Sequence, residues 1–312
     1  MSSDKNFAII GGGSWGTALA CTFARVANHS LLYTKNQGIA SEINKNHTNK
    51  KYLQDTLLCK KVRATSNFLD ILDYDFIVIA TPSSAFDSVI DDLNTYQLKN
   101  KSTLLIASKG MCSNPLQLFS EKIKSSLNNR FAFIHGPNFA KEMAEGKQAS
   151  ITVASENKKT REDILNAISS KQLIVESTND IWTVQIASMA KNIFAIKSGI
   201  MQAQGAGENI KASLISQALT EISILSVHLG GSYKSLSLAS VIGDLVLTCY
   251  SQTSRNTRFG YEFYNHNYSK EFLKNYPILV EGIQSARLLD SFSASFGIEL
   301  PIIREIANLV KI

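Results

Sequence analysis

The chain has few cysteines, and none of them lies in a spacing typical of redox or metal sites. The four cysteines, Cys21, Cys59, Cys112 and Cys249, are far apart and include no Cys-x-x-Cys pair. The five histidines also lack metal-ligand spacing. In a reducing compartment such cysteines remain small apolar side chains. We therefore expect neither disulfides nor a bound metal.

Long apolar runs are also missing. The longest candidate, residues 181–200, is interrupted by polar residues that include Gln185, Lys191 and Lys197. It predicts a core helix of a soluble protein instead of a membrane span. The first residues lead directly into the short run Phe7–Ile10, without the longer apolar stretch and cleavage site of a signal peptide. We expect a cytoplasmic protein with no transmembrane segment.

The charge balance limits the kind of partner. The chain has a formal net charge of +6 and a pI near 9.0, which favours an anionic partner such as nucleic acid, a membrane surface or phosphorylated metabolites. Its densest basic stretches, 60–63 and 158–161, contain no interleaved aromatic residues and are typical of solvated faces. Small phosphorylated ligands are therefore favoured over nucleic acid.

The pattern of elements predicts two domains within 312 residues. Short β-branched runs alternate with helical stretches up to residue 178, which predicts a mostly parallel sheet with helices on both faces. The predicted strands are Phe7–Ile10, Leu31–Thr34, Phe76–Ala80, Thr103–Ala107, Phe131–His135, Ile151–Ala154 and Leu173–Glu176. From residue 179 to 312 helical periodicities take over, at 180–203, 208–229, 256–264 and 282–296, and predict an all-α domain.

A glycine motif follows the first predicted strand. Gly11, Gly13 and Gly16 form Gly-x-Gly-x-x-Gly between that strand and a good helix start at Thr17. In this context the glycines permit a tight turn and close approach of a pyrophosphate to the helix N-terminus. A glycine-rich turn alone is weak evidence, but its place at the start of an alternating domain favours a Rossmann-like, doubly wound dinucleotide-binding fold.

The end of the second strand bears on the choice of dinucleotide. An enzyme strict for NAD usually has an acid there to hold the ribose hydroxyls. This chain has Tyr33, Thr34, Lys35 and Asn36 instead. We expect NADPH or NADH to be accepted, with Lys35 available to a 2′-phosphate; the alternative is that Lys35 is only an exposed loop lysine.

Two lysines are candidates for chemistry. Lys109 directly follows the strand Thr103–Ala107, at the sheet edge where open α/β folds bind ligands, although an ordinary surface lysine also suits this position. Lys191 lies in a helix window whose only other charge is Lys197. Burial favours the neutral amine, and such a lysine can exchange a proton with a carbonyl oxygen. The alternative is that Lys191 extends to solvent.

A polar segment further along favours phosphate binding. Ser254, Arg255 and Asn256 precede a short helical stretch that includes Arg258, so a capping serine, free N–H groups and a guanidinium occur together. A capped surface helix is the alternative. Asp244, at a predicted break in the helical run, is either an acid beside Lys191 or a turn residue.

Seven segments, taken in their order along the chain, match the sequence pattern of a known protein family. They are Gly11 to Ala18, Ser108-Lys109-Gly110, Gly136-Pro137-Asn138-Phe139-Ala140, Lys191-Asn192, Gly243 to Cys249, Thr253-Ser254-Arg255-Asn256 and Val280-Glu281-Gly282. Over nearly the whole chain they resemble the bacterial-type NAD(P)-dependent glycerol-3-phosphate dehydrogenase family. The last four segments and their spacing are specific to that family and are not general to dinucleotide folds.

The resemblance implies a role for each matching residue. Lys191 is implied as the proton donor or acceptor, and Lys109 and Arg255 as shared contacts of cofactor and substrate. The other implied cofactor contacts are Gly11, Gly13, Gly16, Ser14, Trp15, Lys35, Ala140, Leu279 and Glu281. The other implied substrate contacts are Gly136, Asn138, Asp244, Ser254 and Asn256. The family usually has serine or threonine where this chain has Asn138.

The resemblance further implies conversion of dihydroxyacetone phosphate to sn-glycerol 3-phosphate for phospholipid synthesis, by a homodimer. Two alternatives share part of the pattern. A β-hydroxyacid dehydrogenase would have the glycine motif and a helix lysine followed by asparagine, but it would not need the segment around Arg255. A non-enzymatic dinucleotide sensor would not need Lys109, Lys191 and Asp244 together.

Overall fold

The computed structural model describes residues 5–27, 29–99 and 101–311, and its first part is built on a large sheet. The strands are β1 (Phe7–Ile10), β2 (Ser30–Tyr33), β3 (Val62–Thr65), β4 (Phe76–Ile79), β5 (Thr103–Ile106), β6 (Met111–Ser113), β7 (Leu116–Leu118), β8 (Phe131–His135), β9 (Ala149–Ala154) and β10 (Leu173–Thr178). Strands β6 and β7 form a separate two-stranded sheet. The seven strands predicted from the sequence are all present, with bounds shifted by a few residues at most.

The other eight strands form one sheet in the order β10-β9-β8-β5-β4-β1-β2-β3. All neighbouring pairs are parallel except β8 and β9, which are antiparallel. The predicted mostly parallel sheet is therefore confirmed. The strand order reverses between β1 and β4, and ligands of open α/β sheets bind at such switch points, beyond the carboxyl ends of the strands. The glycine motif directly follows β1.

Helices connect the strands of this unit. They are α1 (Ser14–Val26), α2 (Gln37–Asn46), α3 (Lys50–Leu53), α4 (Phe86–Thr95), α5 (Phe119–Ser126), α6 (Ala140–Glu145) and α7 (Lys158–Ile168). Helix α1 packs on β1 and β2, and Phe23 stacks on Phe7 with ring centroids 4.8 Å apart. This apolar packing fixes the direction in which the N-terminus of α1 leaves the glycine motif.

Strand β3 was not predicted, because its residues read as part of a solvated basic stretch. Val62 and Ala64 are buried against the sheet, whereas Lys61 and Arg63 are exposed. β3 is an edge strand, and charged side chains at an edge discourage pairing with other chains. The basic residues are therefore solvated as expected, but they lie on a strand.

The rest of the chain is helical. Its helices are α8 (Ile181–Ala203), α9 (Glu208–His228), α10 (Asp244–Tyr250), α11 (Arg255–Asn265), α12 (Lys270–Asn275), α13 (Glu281–Ala294) and α14 (Pro301–Leu309). No strand occurs among the described residues after Thr178, which agrees with the predicted all-α domain. The predicted break at Gly243–Asp244 is wrong: a π-helical turn, Ala239–Gly243, continues directly into α10.

The chain divides into two compact units close to the predicted boundary at residue 178. One unit is the chain up to Cys112 together with Phe119–Ile181, and the other is Ser113–Leu118 together with the chain from Trp182 onward. The sequence did not predict that 113–118 would group with the helices. The reason is a tertiary contact, because β7 packs against α13.

Helix α9 is long and apolar enough to cross a membrane by length and composition alone. It is not the segment 181–200 considered from the sequence. In the structure 39% of the 18-residue stretch that meets this test is buried. Core helices of soluble proteins also pass a test of length and composition. A single helix of this kind is weak evidence for a membrane span.

Helices α8 and α11 lie against each other with unusually close backbones. A Cβ atom at Gly260 would lie 2.1 Å from the carbonyl oxygen of Ile196, and one at Gly199 would lie 1.9 Å from that of Thr257. Any larger residue at either position would force the helices apart. The two glycines thereby set the distance between the helix that carries Lys191 and the helix that begins at Arg255.

Candidate active site

The turn after β1 requires glycine. Gly11 has a φ of +125°, and its N–H donates to the carbonyl of Tyr33 at 3.0 Å. A Cβ at Gly16 would lie 1.9 Å from the carbonyl oxygen of Gly11, so α1 starts directly against the turn. Gly13 occupies the N-cap and has no side chain to cap the helix. The first N–H groups of α1 are thus available to an anion, as the motif predicts.

The sequence did not reveal the residues that support this turn. The buried side-chain amide of Asn49 donates to the carbonyl of Gly12 at 3.0 Å and to Oγ1 of Thr17 at 2.9 Å. The hydroxyl of Ser14 donates to the carbonyl of Tyr52 at 3.0 Å. No local pattern marks Asn49 or Tyr52, because these bonds join segments far apart in the chain.

Two lysines follow strands of this unit. Lys35 is exposed just after β2, and Asn36 beside it caps α2 by accepting from the N–H of Ile39 at 3.0 Å. Lys109 lies after β5, with its ammonium 5.9 Å from the ring centroid of Trp15. A cation over an indole face is attracted by the ring. The structure therefore brings Lys109 to the first turn of α1, whereas Lys35 stays on the surface.

The segment from Gly136 to Ala140 follows β8. Asn138 lies here, and its amide is engaged with backbone: Nδ2 donates to the carbonyl of Ser150 at 2.7 Å, and Oδ1 accepts from the Ser150 N–H at 3.2 Å. Ala140 is the first residue of α6. Asn138 thus fixes this loop to β9, and one N–H of its amide is left over for any substrate contact.

The helical unit contains a buried ion pair. The ammonium of Lys191 on α8 donates to the carboxylate of Asp244, the first residue of α10, and to Oγ1 of Thr248 at 3.1 Å. Lys191 is 6% exposed and Asp244 is 1% exposed. The hydroxyl of Thr248 donates to the carbonyl of Asp244 at 2.6 Å. Lys191 therefore does not extend to solvent, and Asp244 is its acidic partner instead of a turn residue.

Cys249 is a buried neighbour of this pair. Burial raises the pKa of its thiol to about 12, a shift that the charge of Lys191 opposes and that of Asp244 supports. The thiol is therefore neutral, as expected for an apolar core cysteine. Among the described residues no group of three or more His, Cys, Asp or Glu side chains is arranged to hold a metal.

The predicted cap of α11 is present. Oγ of Ser254 accepts from the N–H of Thr257 at 3.3 Å, while Arg255 in the first turn is exposed. Asn256 is buried, and its amide donates to Oδ1 of Asn192 at 2.9 Å. An exposed guanidinium at a capped helix N-terminus is suited to an anion. The structure thus gives Arg255 the exposure that a ligand contact requires, whereas Asn256 lies mostly inside.

The two remaining candidates lie at the start of α13. Leu279 is 59% exposed, and Glu281 is the first residue of the helix. The amide of Asn192 donates to the carboxylate of Glu281 at 3.3 Å. Asn192 follows Lys191 in the sequence, but the residues alone gave it no separate role.

Two family models match this chain. The model described as the N-terminus of NAD-dependent glycerol-3-phosphate dehydrogenase matches residues 6–161, and the model for its C-terminus matches residues 180–311. The glycerol-3-phosphate dehydrogenase (NAD(P)+) of Rickettsia bellii is 44% identical to this chain over 315 aligned positions. The alignment covers 100% of both chains. The protein of the same name from Rickettsia felis is 45% identical, with 99% of each chain covered.

A solved structure shares the fold. The crystal structure of glycerol-3-phosphate dehydrogenase from Coxiella burnetii superposes with a TM-score of 0.91 at 28% sequence identity. The match covers 98% of this chain and 94% of that one.

The buried pair leads to a prediction about stability. We expect Asp244→Asn and Lys191→Met each to lower the free energy of unfolding by about 3–5 kcal/mol, because each leaves one buried charge without its partner. The double variant should cost clearly less than the sum, because no unpaired charge remains. Urea unfolding followed by circular dichroism measures all three. Additive losses would show that the two side chains do not stabilise each other.

Proposed function

Because the chain belongs to the NAD-dependent glycerol-3-phosphate dehydrogenase family, we propose that it interconverts dihydroxyacetone phosphate and sn-glycerol 3-phosphate with NAD(P)H or NAD(P)+. The family membership rests on the two models that together match most of the chain. The observation that carries the chemistry is the buried Lys191, held by Asp244 and Thr248 in the helical unit. The reaction needs a proton donor for the carbonyl oxygen, and this lysine is the candidate.

The sheet unit provides the residues for the dinucleotide. The N-terminus of α1 has no side-chain cap, so its first N–H groups can meet a pyrophosphate, and the close approach of Gly16 to Gly11 leaves no room for a side chain at Gly16. We assign contacts with the dinucleotide to Gly11, Gly13, Ser14, Trp15, Gly16, Lys35, Lys109, Ala140, Arg255, Leu279 and Glu281. When bound, the reduced nicotinamide supplies the hydride.

Lys191 has two tasks in this proposal. Reduction of the central carbonyl builds negative charge on its oxygen, and the ammonium stabilises that charge and then donates a proton. Asp244 accepts a hydrogen bond from the ammonium and so fixes its direction, while Thr248 holds Asp244 through its main-chain carbonyl. In the reverse reaction the neutral amine takes the proton from the alcohol.

The substrate phosphate is assigned to the start of α11. Arg255 can bind two phosphate oxygens through its planar donors, and the N–H groups of the first turn add to the attraction. We assign further substrate contacts to Lys109, Gly136, Asn138, Asp244, Ser254 and Asn256. A β-hydroxyacid dehydrogenase would not need a phosphate site, which makes it the weaker candidate.

We further propose that the protein is a cytoplasmic homodimer that supplies glycerol 3-phosphate for phospholipid synthesis. All four cysteines are free, which suits a reducing compartment. No membrane or nucleic-acid partner is required for this role.

The substrate phosphate and Arg255 can be tested together. We expect dihydroxyacetone phosphate to support NAD(P)H oxidation and unphosphorylated dihydroxyacetone not to, because the phosphate contributes much of the binding. Arg255→Lys should lower kcat/KM by roughly 10-fold or more, because a point charge cannot replace a bidentate contact. Arg304→Lys, the same change in a surface ion pair, is the matched control and should retain activity. Comparable rates with both substrates would contradict the assignment.

Lys35 can be tested through cofactor preference. We expect Lys35→Asp to shift the ratio of kcat/KM values from NADPH toward NADH, because an acid accepts ribose hydroxyls and repels a 2′-phosphate. Lys45→Asp is the matched control, because it makes the same charge change at another exposed position of this region and should leave the ratio unchanged. A ratio that moves equally in both variants, or in neither, would mean that Lys35 does not meet the ribose.

A further inference from the structure

Hydrogen bonds join three helices of the helical unit in a closed loop. The N–H of Gly282 donates to Oδ1 of Asn256 at 3.0 Å. The amide of Asn256 donates to Oδ1 of Asn192 at 2.9 Å, and the amide of Asn192 donates to the carboxylate of Glu281 at 3.3 Å. The loop therefore starts and ends at two successive residues of α13, after passing through α11 and α8.

The direction of every bond in this loop is fixed by its first donor. The Gly282 N–H can only donate, so the oxygen of the Asn256 amide must face it. The nitrogen of Asn256 then faces Asn192, whose own nitrogen is left to face Glu281. Reversing either amide would set two donors or two acceptors against each other. Glu281, which accepts as a carboxylate, completes this order.

Burial makes the loop costly to break. Asn192 is 3% exposed and Asn256 is 9% exposed, so neither amide can replace a lost partner with bulk water. The Cα of Gly282 also leaves no room for a side chain, because a Cβ would lie 2.6 Å from the carbonyl oxygen of Asn192. The three helix segments are thus held in one arrangement by bonds and by close packing.

Each member of the loop adjoins a residue with a proposed role. Asn192 directly follows Lys191, and Asn256 directly follows Arg255. Glu281 is itself an assigned cofactor contact. A displacement of Glu281 toward or away from a ligand therefore changes the bond to Asn192, and through it the position of the turn that carries Arg255.

We propose that Asn192 is a positioning residue that couples cofactor binding at Glu281 to phosphate binding at Arg255. This inference rests on the proposed function. Asn192 contacts neither ligand in this account and acts through Glu281 and Asn256. Coupling of this kind is reciprocal, so glycerol 3-phosphate should tighten the binding of NADPH, and the reverse.

The test measures NADPH affinity by fluorescence titration, with and without saturating sn-glycerol 3-phosphate. The two reduced ligands cannot react with each other, so both remain bound. For the unmodified protein we expect glycerol 3-phosphate to lower the Kd of NADPH by about 5-fold or more, within the usual range of coupling between sites. In Asn192→Asp the ratio should fall clearly below that of the unmodified protein, because the new carboxylate still accepts from Asn256 but repels Glu281, which leaves only the direct bond from Gly282 to Asn256.

A second change should restore the link. In Asn192→Asp/Glu281→Gln the amide at 281 can donate to the carboxylate at 192, with the same net charge as the original pair. We expect this double variant to recover most of the coupling ratio that Asn192→Asp loses. Glu281→Gln alone is the reference, because it carries the same change at the cofactor contact. A residue with a merely structural role would show no such rescue. Asn265→Asp, an exposed change on α11, is the matched control and should keep the full ratio.

The outcomes separate this inference from the proposed function. Absence of NADPH oxidation with dihydroxyacetone phosphate in the unmodified protein would overturn the function itself. Normal activity with a coupling ratio near 1 in the unmodified protein would overturn only the inference. If Asn192→Asp does not fold, Asn192→Ala removes the same link without adding a charge. A folded variant of either kind that keeps the full ratio contradicts the role of Asn192.

Discussion

The buried ion pair of Lys191 and Asp244 is the interaction on which the proposed chemistry of the helical unit depends. Taking either charge out of water costs several kcal/mol, so each must be paired and further hydrogen-bonded to remain inside. Thr248, one turn after Asp244, accepts a further bond from the ammonium of Lys191, and its hydroxyl donates to the main-chain carbonyl of Asp244. The pair thus requires α8 and α10 to lie at one fixed separation, with the lysine directed at the acid. An ammonium held in this way is ordered before any substrate arrives, which is the condition for efficient stabilisation of charge in a transition state.

The surrounding helices maintain that separation through bonds between side chains and backbone. Ser198 on α8 donates to the carbonyl of Cys249 at 2.7 Å, and Thr257 on α11 donates to that of Thr248 at 2.9 Å. Gly199 and Gly260 allow α8 and α11 to approach until their backbones touch. The three helices that carry Lys191, Asp244 and Arg255 are therefore tied to one another by bonds to backbone in addition to the ion pair.

Most of the fold was predictable because its signals are local. The buried strands are short β-branched runs, and the glycine motif has a sterically required place after β1. Edge strand β3 escaped prediction because only Val62 and Ala64 face inward, between charged residues. In the site, the low charge around Lys191 favoured partial burial but left open its extension to solvent, and the identity of its partner was also open, since a lone Asp244 also suits a turn. Asn49 had no signal at all, and Asn192 appeared only as part of the family resemblance, without a role. Their hydrogen bonds join distant segments, which leave no periodic trace.

The turnover of the Lys191→Ala variant tests the proposed role of Lys191 as proton donor. We predict that this variant, shown to be folded by circular dichroism, binds NADPH with nearly unchanged Kd, because the assigned dinucleotide contacts lie elsewhere. It should reduce dihydroxyacetone phosphate roughly 10²- to 10⁴-fold more slowly, because the proton donor and the charge that stabilises the developing oxyanion are lost. Added methylamine should restore part of the rate by donating the missing proton. Near-normal turnover in a folded variant that binds NADPH would contradict the account, and Lys109 or a water molecule would then be the better proton donor.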